Sequence, residues 1–290
     1  MIAGFGTGHA RLSQCTIDSS PAHHMTIHVA LVFLLTFLIH LMSMLSYAIR
    51  IAGVRTGRLA VSLALFNILL LVSRTSNTFQ APLLAKHVEQ NILAGGGSGI
   101  ESDLRWLLIA AALASVVGLV LIPTFQRLFG VAIESLSRHR SMPRLLLRAM
   151  SFSGWRYLKS SIAVPRKENV IRLEVRQIPW AMLIYNTLAT AMLTVGVFAS
   201  LYAGYLRPEL RVTANNLSPV INAVSTVLLI MFIDPYISLL TDDVVAGRAS
   251  EAHFRRCIVM LGASRLLGTI IAQLVLIPGA WLIAVVADRI

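Results

Sequence analysis

The chain has 290 residues, of which 56% are hydrophobic and 13% are charged, and its mean hydropathy is +0.74. Soluble domains average about 45–50% apolar and about 25% charged residues, so this composition excludes an ordinary soluble domain and favours a protein built for a lipid bilayer. The formal net charge is +12. Cysteines occur only at Cys15 and Cys257, far apart in the sequence, so neither a disulfide framework nor a metal site is predicted.

The first 25 residues are polar and lack the apolar core of a signal peptide. We expect residues 1–25 to form a disordered extension, and Met25 is a candidate for the true start of the protein. Six later segments can each form a helix of the roughly 20 residues needed to cross the hydrocarbon core. The predicted fold is therefore an all-α polytopic membrane protein with one six-span domain over residues 26–290. The spans cover about residues 27–49, 58–84, 106–132, 179–205, 213–241 and 254–286.

The longest connection, residues 133–178, joins spans three and four. Within it, residues 143–159 (PRLLLRAMSFSGWRYLK) place basic side chains near one face, with leucines and aromatic residues among them. This pattern is typical of a helix lying in the headgroup layer of a membrane. Two roles fit such a helix: an anchor, or a surface that gathers anionic lipid at an entrance.

Lysine and arginine are shared unevenly between the two sides of the predicted membrane domain. The connections after spans one, three and five carry 17 cations and six acids, whereas the opposite side carries six of each. Cytoplasmic loops collect positive charge, so both termini are predicted to face outward and the loop 133–178 to be cytoplasmic. The excess of cations on the cytoplasmic side then accounts for the net positive charge, and nucleic acid is not a predicted partner.

A weak internal repeat relates spans one and two to spans five and six. Parallel repeats of this kind occur in transporters whose substrate site lies between the related halves. The alternative is chance recurrence of small residues and arginines in helical sequences. The matching positions are Tyr47 and Tyr236, Gly57-Arg58 and Gly247-Arg248, Ser73-Arg74 and Ser264-Arg265, and Gln80 and Gln273.

Charged residues inside the spans are Arg74, Asp234 and Arg265. A charge at membrane depth is costly and usually marks a pathway or a ligand. At about 1.5 Å per residue, Asp234, Arg265 and His40 all lie roughly 12–15 Å from the inner ends of their spans. We therefore predict that Asp234 pairs with Arg265 across spans five and six.

Arg74 lies about 24 Å along its helix, in the outer half, with no acidic residue at that depth. Two hypotheses remain open for it: binding of an anionic group on a substrate, or extension of the side chain to the outer headgroups. The mostly polar run from Thr75 to Gln80 predicts that this half of the span lines a cavity or packs on another helix.

Motifs of intramembrane catalysis are missing from the sequence. It has no H-E-x-x-H and no G-x-S-x-G pattern. Asp242-Asp243 before Gly247-Arg248 is similar to part of a phospholipid headgroup transferase signature, but the later aspartates of that signature are absent. No catalytic residue, metal or cofactor is predicted.

Three long stretches of the sequence are specific enough to compare with known families: SYAIRIAGVRTGRLAVSLALFNILLLVSRTSNTFQAPLL (46–84), FIDPYISLLTDDVVAGRASE (232–251) and SRLLGTIIAQ (264–273). They resemble the Amj family, the alternate lipid II flippases of bacterial cell-wall synthesis. The resemblance covers about residues 26–288. It implies a multi-pass protein of the bacterial cytoplasmic membrane that moves an undecaprenyl-pyrophosphate-linked disaccharide-pentapeptide from the inner to the outer leaflet. Cell-wall synthesis enzymes are candidate partners.

No site residues are carried over from the family, so the candidate ligands are chosen by their chemistry. Cations suit the pyrophosphate, and amides suit the sugar. Proton exchange by two further residues is one route to energy coupling, and the membrane potential acting on the cations is the other. The predicted ligands are Arg55 and Arg58 at the inner mouth, Arg74 and Arg265 within the spans, and Asn77 and Gln80; the candidates for coupling or an ion pair are His40 and Asp234.

The predicted mechanism is alternating access between the two repeated hairpins. Three other classes of function remain open: a secondary transporter of a soluble organic anion, an intramembrane enzyme acting on a prenyl-linked phosphate lipid, and a scaffold for cell-wall enzymes. An enzyme predicts convergent metal or nucleophile groups, and a scaffold predicts tolerance to loss of Arg74 and Arg265 together.

Overall fold

Long helices form the architecture of the chain. The computed structural model describes residues 21–290 except 94, 96–98, 140, 142–144, 146, 148–150 and 164–177. The main helices are α1 (Pro21–Thr56), α2 (Leu59–Leu93), α3 (Ile100–His139), α4 (Phe152–Ser161), α5 (Trp180–Leu206), α6 (Arg211–Leu228), α7 (Asp234–Val245) and α8 (Glu251–Arg289). A 3₁₀ turn, Pro208–Leu210, precedes α6, and a π-helical turn, Leu229–Ile233, joins α6 to α7.

Six helices are long and apolar enough to cross a membrane, which confirms the predicted all-α, six-span fold. Spanning segments take this form because a helix satisfies its own backbone hydrogen bonds where water is absent. Helix α1 begins at Pro21, inside the predicted extension, and the division of the chain at residue 25 stays a prediction. The remainder of the predicted extension lies outside the described residues. The spans are Val29–Thr56, Leu59–Leu93, Ile100–Arg138, Trp180–Leu206, Pro208–Val245 and Glu251–Arg289.

The spans pack side by side in the order α2, α1, α3, α8, α5 and the fifth span, Pro208–Val245, and α1 also contacts α8. We call the end with the turns after α1 and α7 the basic end, and the opposite one the terminal end. Helix α2 and the fifth span are the least buried of the six spans. They approach each other at the terminal end, where Arg211 lies 4.0 Å from Glu89.

Glycines in left-handed conformation close both helical turns at the basic end. Gly57 has φ 65° and Gly247 has φ 73°, which a residue with a Cβ rarely adopts. In each turn the residue after the glycine donates its N–H to the carbonyl five residues back: Arg58 to Gly53 and Arg248 to Asp243. The turns match, but α2 packs closely on α1 whereas α7 hardly touches α8. The internal repeat therefore stays a prediction.

Helix α4 occupies the second half of the predicted interfacial segment. Its described side chains include Trp155, Tyr157 and Lys159, all exposed. Ala163, which follows α4 in the chain, is hydrogen-bonded to α3 because its backbone carbonyl and N–H both contact the Thr124 hydroxyl. Aromatic and basic side chains on an exposed helix at the basic end fit the predicted headgroup position. Much of the first half of the segment lies outside the described residues.

Candidate functional site

A layer of buried polar side chains crosses the middle of the bundle. On α8, apolar clusters include residues 254–261 on one side of this layer and residues 272–287 on the other. Helices α1, α2 and α5 show the same order, with apolar clusters toward both ends and polar residues between them. Its buried members are Thr36 and His40 on α1, Ser73, Ser76 and Gln80 on α2, Asn186, Thr190 and Thr194 on α5, and Ser264 and Thr269 on α8.

Hydrogen bonds between α5 and α8 hold one side of the polar layer together. The Asn186 amide, 1% exposed, donates to the Ser264 hydroxyl at 2.7 Å and to the Leu261 carbonyl at 2.9 Å. The Thr187 hydroxyl donates to the Ser264 carbonyl at 3.1 Å. Buried polar groups are costly unless paired, so these bonds fix the rotation of α8 relative to α5 at Ser264.

Gly268 lets the two helices come close enough for those bonds. A Cβ at this position would lie 2.6 Å from the Thr187 carbonyl oxygen and 3.1 Å from the Ala191 amide nitrogen. Only glycine allows such an approach of backbone to backbone. Small residues serve this purpose in membrane helix pairs, which lack a hydrophobic driving force between helices.

Arg265 extends from α8 between α5 and α1. On a helix surface turning about 100° per residue, Arg265 lies about 100° from Ser264, which faces α5, and about 60° from Gly262. The Gly262 backbone faces Leu119 of α3 and Met44 of α1. The packing that positions α8 therefore directs the guanidinium into the polar layer.

His40 and Arg265 lie near each other in this layer. The charge of the Arg265 guanidinium acts on the His40 ring. His40 is 8% exposed. Its Nδ1 and the Arg265 Nε are both buried, and neither has a hydrogen-bond partner among the described residues. An unpaired buried donor costs about 1–3 kcal/mol, so a further hydrogen-bond acceptor at Arg265 Nε would be favourable.

The ion pair of Asp234 is with Arg50, and this corrects the prediction that its partner is Arg265. Arg50 Nη2 lies 3.1 Å from Asp234 Oδ1. The sequence argument took Arg50 as the inner edge of the first span, but α1 continues to Thr56. Asp234 is thus level with Arg50. His40 lies ten residues earlier on α1, about 15 Å away along the helix, so the predicted common level of Asp234 and His40 is wrong as well.

Arg50 is a residue that the sequence analysis missed as part of the site. Its guanidinium lies over the Phe66 ring of α2, 5.1 Å from the ring centre, so one side chain links α1, α2 and the fifth span. The spacing of the arginines could have indicated Arg50, because Arg50, Arg55 and Arg58 form one basic series that runs from α1 into the turn.

Helix α2 turns its small polar residues toward α1 and leaves Arg74 and Asn77 exposed. The Ser73 hydroxyl donates to the Ile39 carbonyl at 3.4 Å. The Gln80 amide donates to the Thr36 hydroxyl at 2.7 Å, and Gln80 is only 4% exposed. Gln80 therefore makes a helix–helix contact in this structure, whereas Arg74 and Asn77 are accessible to a ligand or to lipid.

The exposed side of α2 that carries Arg74 points away from α3. Val61 and Ile68 of α2 belong to the apolar cluster that includes Ile133 of α3. Arg74 lies about 140° around the helix from Val61 and about 120° from Ile68. Phe66 of α2 contacts Arg50, which binds Asp234 of the fifth span, and Arg74 lies about 80° around the helix from Phe66.

Arg55 and Arg58 are exposed at the basic end, on either side of the Gly57 turn. Neither residue is brought into the polar layer. They lie beyond Arg50 on the same connection, so the cations form a series from the basic end to the middle of the bundle. Among the described residues, no three His, Cys, Asp or Glu side chains come together as a metal-binding group.

Comparisons with known proteins agree with this architecture. A family model described as Amj, alternate to MurJ, matches residues 35–287. The chain is 36% identical over 266 residues to the protein named lipid II flippase Amj from Bacillus subtilis (strain 168), and the alignment covers 90% of this chain and 97% of that relative. No solved structure matches the chain.

Proposed function

This chain belongs to the Amj family, and on that premise we propose that it is a lipid II flippase that carries its cargo from the inner to the outer leaflet of the bacterial cytoplasmic membrane. It is a transporter and not an enzyme. Lipid II carries a pyrophosphate between its polyprenyl tail and its sugar–peptide head, so the transport path needs a cation where water is excluded.

The observation that carries the proposal is the buried, unpartnered Nε of Arg265 beside His40 in the polar layer. An arginine binds phosphate oxygens through two parallel hydrogen bonds. Since no group in the described part of the chain pairs with Arg265 Nε, this capacity stays available to the substrate. We assign Arg265 as the central pyrophosphate ligand, with the His40 ring beside it as a second donor.

The exposed face of α2 is the proposed route for the headgroup. Arg74 contacts the pyrophosphate beyond the polar layer, and Asn77 donates to the sugar, while the polyprenyl tail stays in lipid. Arg55 and Arg58 attract the anion at the basic end, where the excess of cations favours a cytoplasmic location. Since the chain crosses the membrane an even number of times, both termini then face outward.

The assay for this function is accessibility of lipid II at the outer face of cells depleted of every other flippase. Exposure should depend on this protein. It should fall to background when Arg265 is replaced by alanine and remain with Arg255→Ala, because Arg255 is an exposed arginine on the same helix. Absence of protein-dependent exposure would contradict the proposal.

Arg74→Lys should reduce lipid II exposure about tenfold, because a lysine keeps the charge but loses the paired contact to phosphate, and a hydrogen bond to a charged group contributes about 1.5–3 kcal/mol. Arg255→Lys is the matched control. Full activity of Arg74→Lys would instead support the second hypothesis, in which the side chain extends to the outer headgroups, where lysine serves equally well.

A further inference from the structure

The Arg50–Asp234 ion pair has the features of a contact in which a competing anion can replace the carboxylate. It is a single contact, Nη2 to Oδ1 at 3.1 Å. The two side chains are 27% and 48% exposed. A pair with this exposure is not enclosed by protein, so a competing anion can reach both groups. A stronger anion with more oxygens can therefore replace the carboxylate.

Phe66 leaves Arg50 suited to a phosphate. The guanidinium carbon lies over the Phe66 ring, 5.1 Å from its centre, and this cation–π contact holds the group beside α2. The ring takes none of the N–H positions that an oxyanion needs. Of these donors the structure assigns one, on Nη2, to Asp234. A diphosphate has enough oxygens to take that position and to occupy further donors.

Asp234 lies at a break in the fifth span. The π-helical turn Leu229–Ile233 ends immediately before it, and Pro235 follows it, which removes a backbone donor from the next helical turn. Single π-helical turns occur frequently at functional sites. A bond from Asp234 to α1 therefore fastens the fifth span at the point where its helix is least continuous.

Position along α1 places Arg50 between two groups of cations. Arg55 is five residues further toward the basic end, and His40, beside Arg265, is ten residues in the other direction. An anion that moves from the basic end to the polar layer passes the level of Arg50 first.

We propose that Arg50 is a ligand for the diphosphate of the substrate, and that the Asp234 carboxylate binds Arg50 when no substrate is present. Arrival of the diphosphate displaces the Asp234 carboxylate and frees the fifth span from α1 at the π-helical turn. This inference rests on the proposed function, which supplies the diphosphate, and it adds a binding residue and the contact that substrate breaks.

Binding of a polyprenyl diphosphate to the purified full chain in detergent micelles tests the exchange. Asp234→Asn removes the competing charge at constant size and should tighten binding, on the order of threefold for a partly exposed pair. Arg50→Gln should weaken binding about tenfold or more. Arg255→Gln removes the same charge as Arg50→Gln, but at an exposed position on α8, so it should have no effect on diphosphate binding. Unchanged or weaker binding by Asp234→Asn would overturn the proposal.

A charge exchange separates a ligand from a structural partner. The double variant Arg50→Asp with Asp234→Arg can restore the ion pair and the thermal stability, but it removes the cation from α1 beside Phe66. It should therefore stay defective in diphosphate binding. Normal binding by this variant would mean that Arg50 serves only to hold Asp234.

The same assay distinguishes this inference from the proposed function. A wild-type protein that binds the polyprenyl diphosphate and follows the predicted order of variants, yet does not expose lipid II in cells, would contradict the flippase assignment alone. A wild-type protein that exposes lipid II in cells while Arg50→Gln binds the diphosphate normally would contradict the Arg50 site alone.

Discussion

Replacing Arg265 by alanine should lower lipid II exposure at least about 30-fold, because truncating one member of a buried, hydrogen-bonded charge pair costs about 2–5 kcal/mol. The effect should exceed that of any other single arginine. Arg265 is the arginine whose Nε is buried in the polar layer without a partner in the described part of the chain, whereas Arg74, Arg55 and Arg58 are exposed. The measurement is the outer-face accessibility of lipid II at equal protein level.

A stability measurement separates a ligand-binding arginine from a structural one. The empty protein carries the cost of an unpaired buried donor at Arg265, so Arg265→Met should leave the thermal unfolding temperature of the solubilised protein unchanged or raise it. Transport should still be lost. A lowered unfolding temperature together with lost transport would indicate that Arg265 supports the fold, and the proposed ligand role would be withdrawn.

Gly268→Ala should destabilise the protein by about 1–3 kcal/mol and impair transport, since an added methyl group in a filled contact forces the helices apart. The obstacle is backbone: the new Cβ would lie 2.6 Å from the Thr187 carbonyl oxygen. Moving α8 away from α5 also stretches the bonds from Asn186 and Thr187 to Ser264, and Arg265 shifts with them. Thermal unfolding and lipid II exposure should fall together.

Gly279→Ala is the matched control for this substitution. Gly279 lies on the same helix and faces the same neighbour, α5, but a Cβ there would meet Ala199 at 3.6 Å, an ordinary contact distance. It should be tolerated, and the better helix propensity of alanine favours it. Equal effects of the two substitutions would show that the close approach at Gly268 is not what positions Arg265.

The class of protein and the number of spans follow from the sequence alone. A segment of about 20 apolar residues is sufficient to identify a membrane helix, because the requirement is set by bilayer thickness and by backbone hydrogen bonding, and both depend only on local sequence. The same local argument identified Arg265, Arg74 and His40 as unusual, since charged and titratable groups stand out in apolar runs.

Which of these residues come together depends on how the helices pack. The sequence paired Asp234 with Arg265 by counting residues from assumed span ends, and the structure pairs Asp234 with Arg50 instead. The count overlooked Arg50 because α1 continues to Thr56, seven residues beyond its predicted end at residue 49, so Arg50 lies inside the span. Helix ends depend on turns and neighbours, and apolarity marks only the part of a helix that lies in hydrocarbon.

The faces of the helices were likewise decided by packing. Gln80 and Asn77 have the same amide chemistry, yet one is bonded to Thr36 inside the bundle and the other is exposed. Helix α2 has apolar residues on all sides over much of its length, so its sequence does not specify its rotation. Contacts between residues far apart in the chain set the rotation of each helix, Ser73 with Ile39 for α2 and Gly268 with Thr187 for α8, and so determine which polar groups reach a ligand.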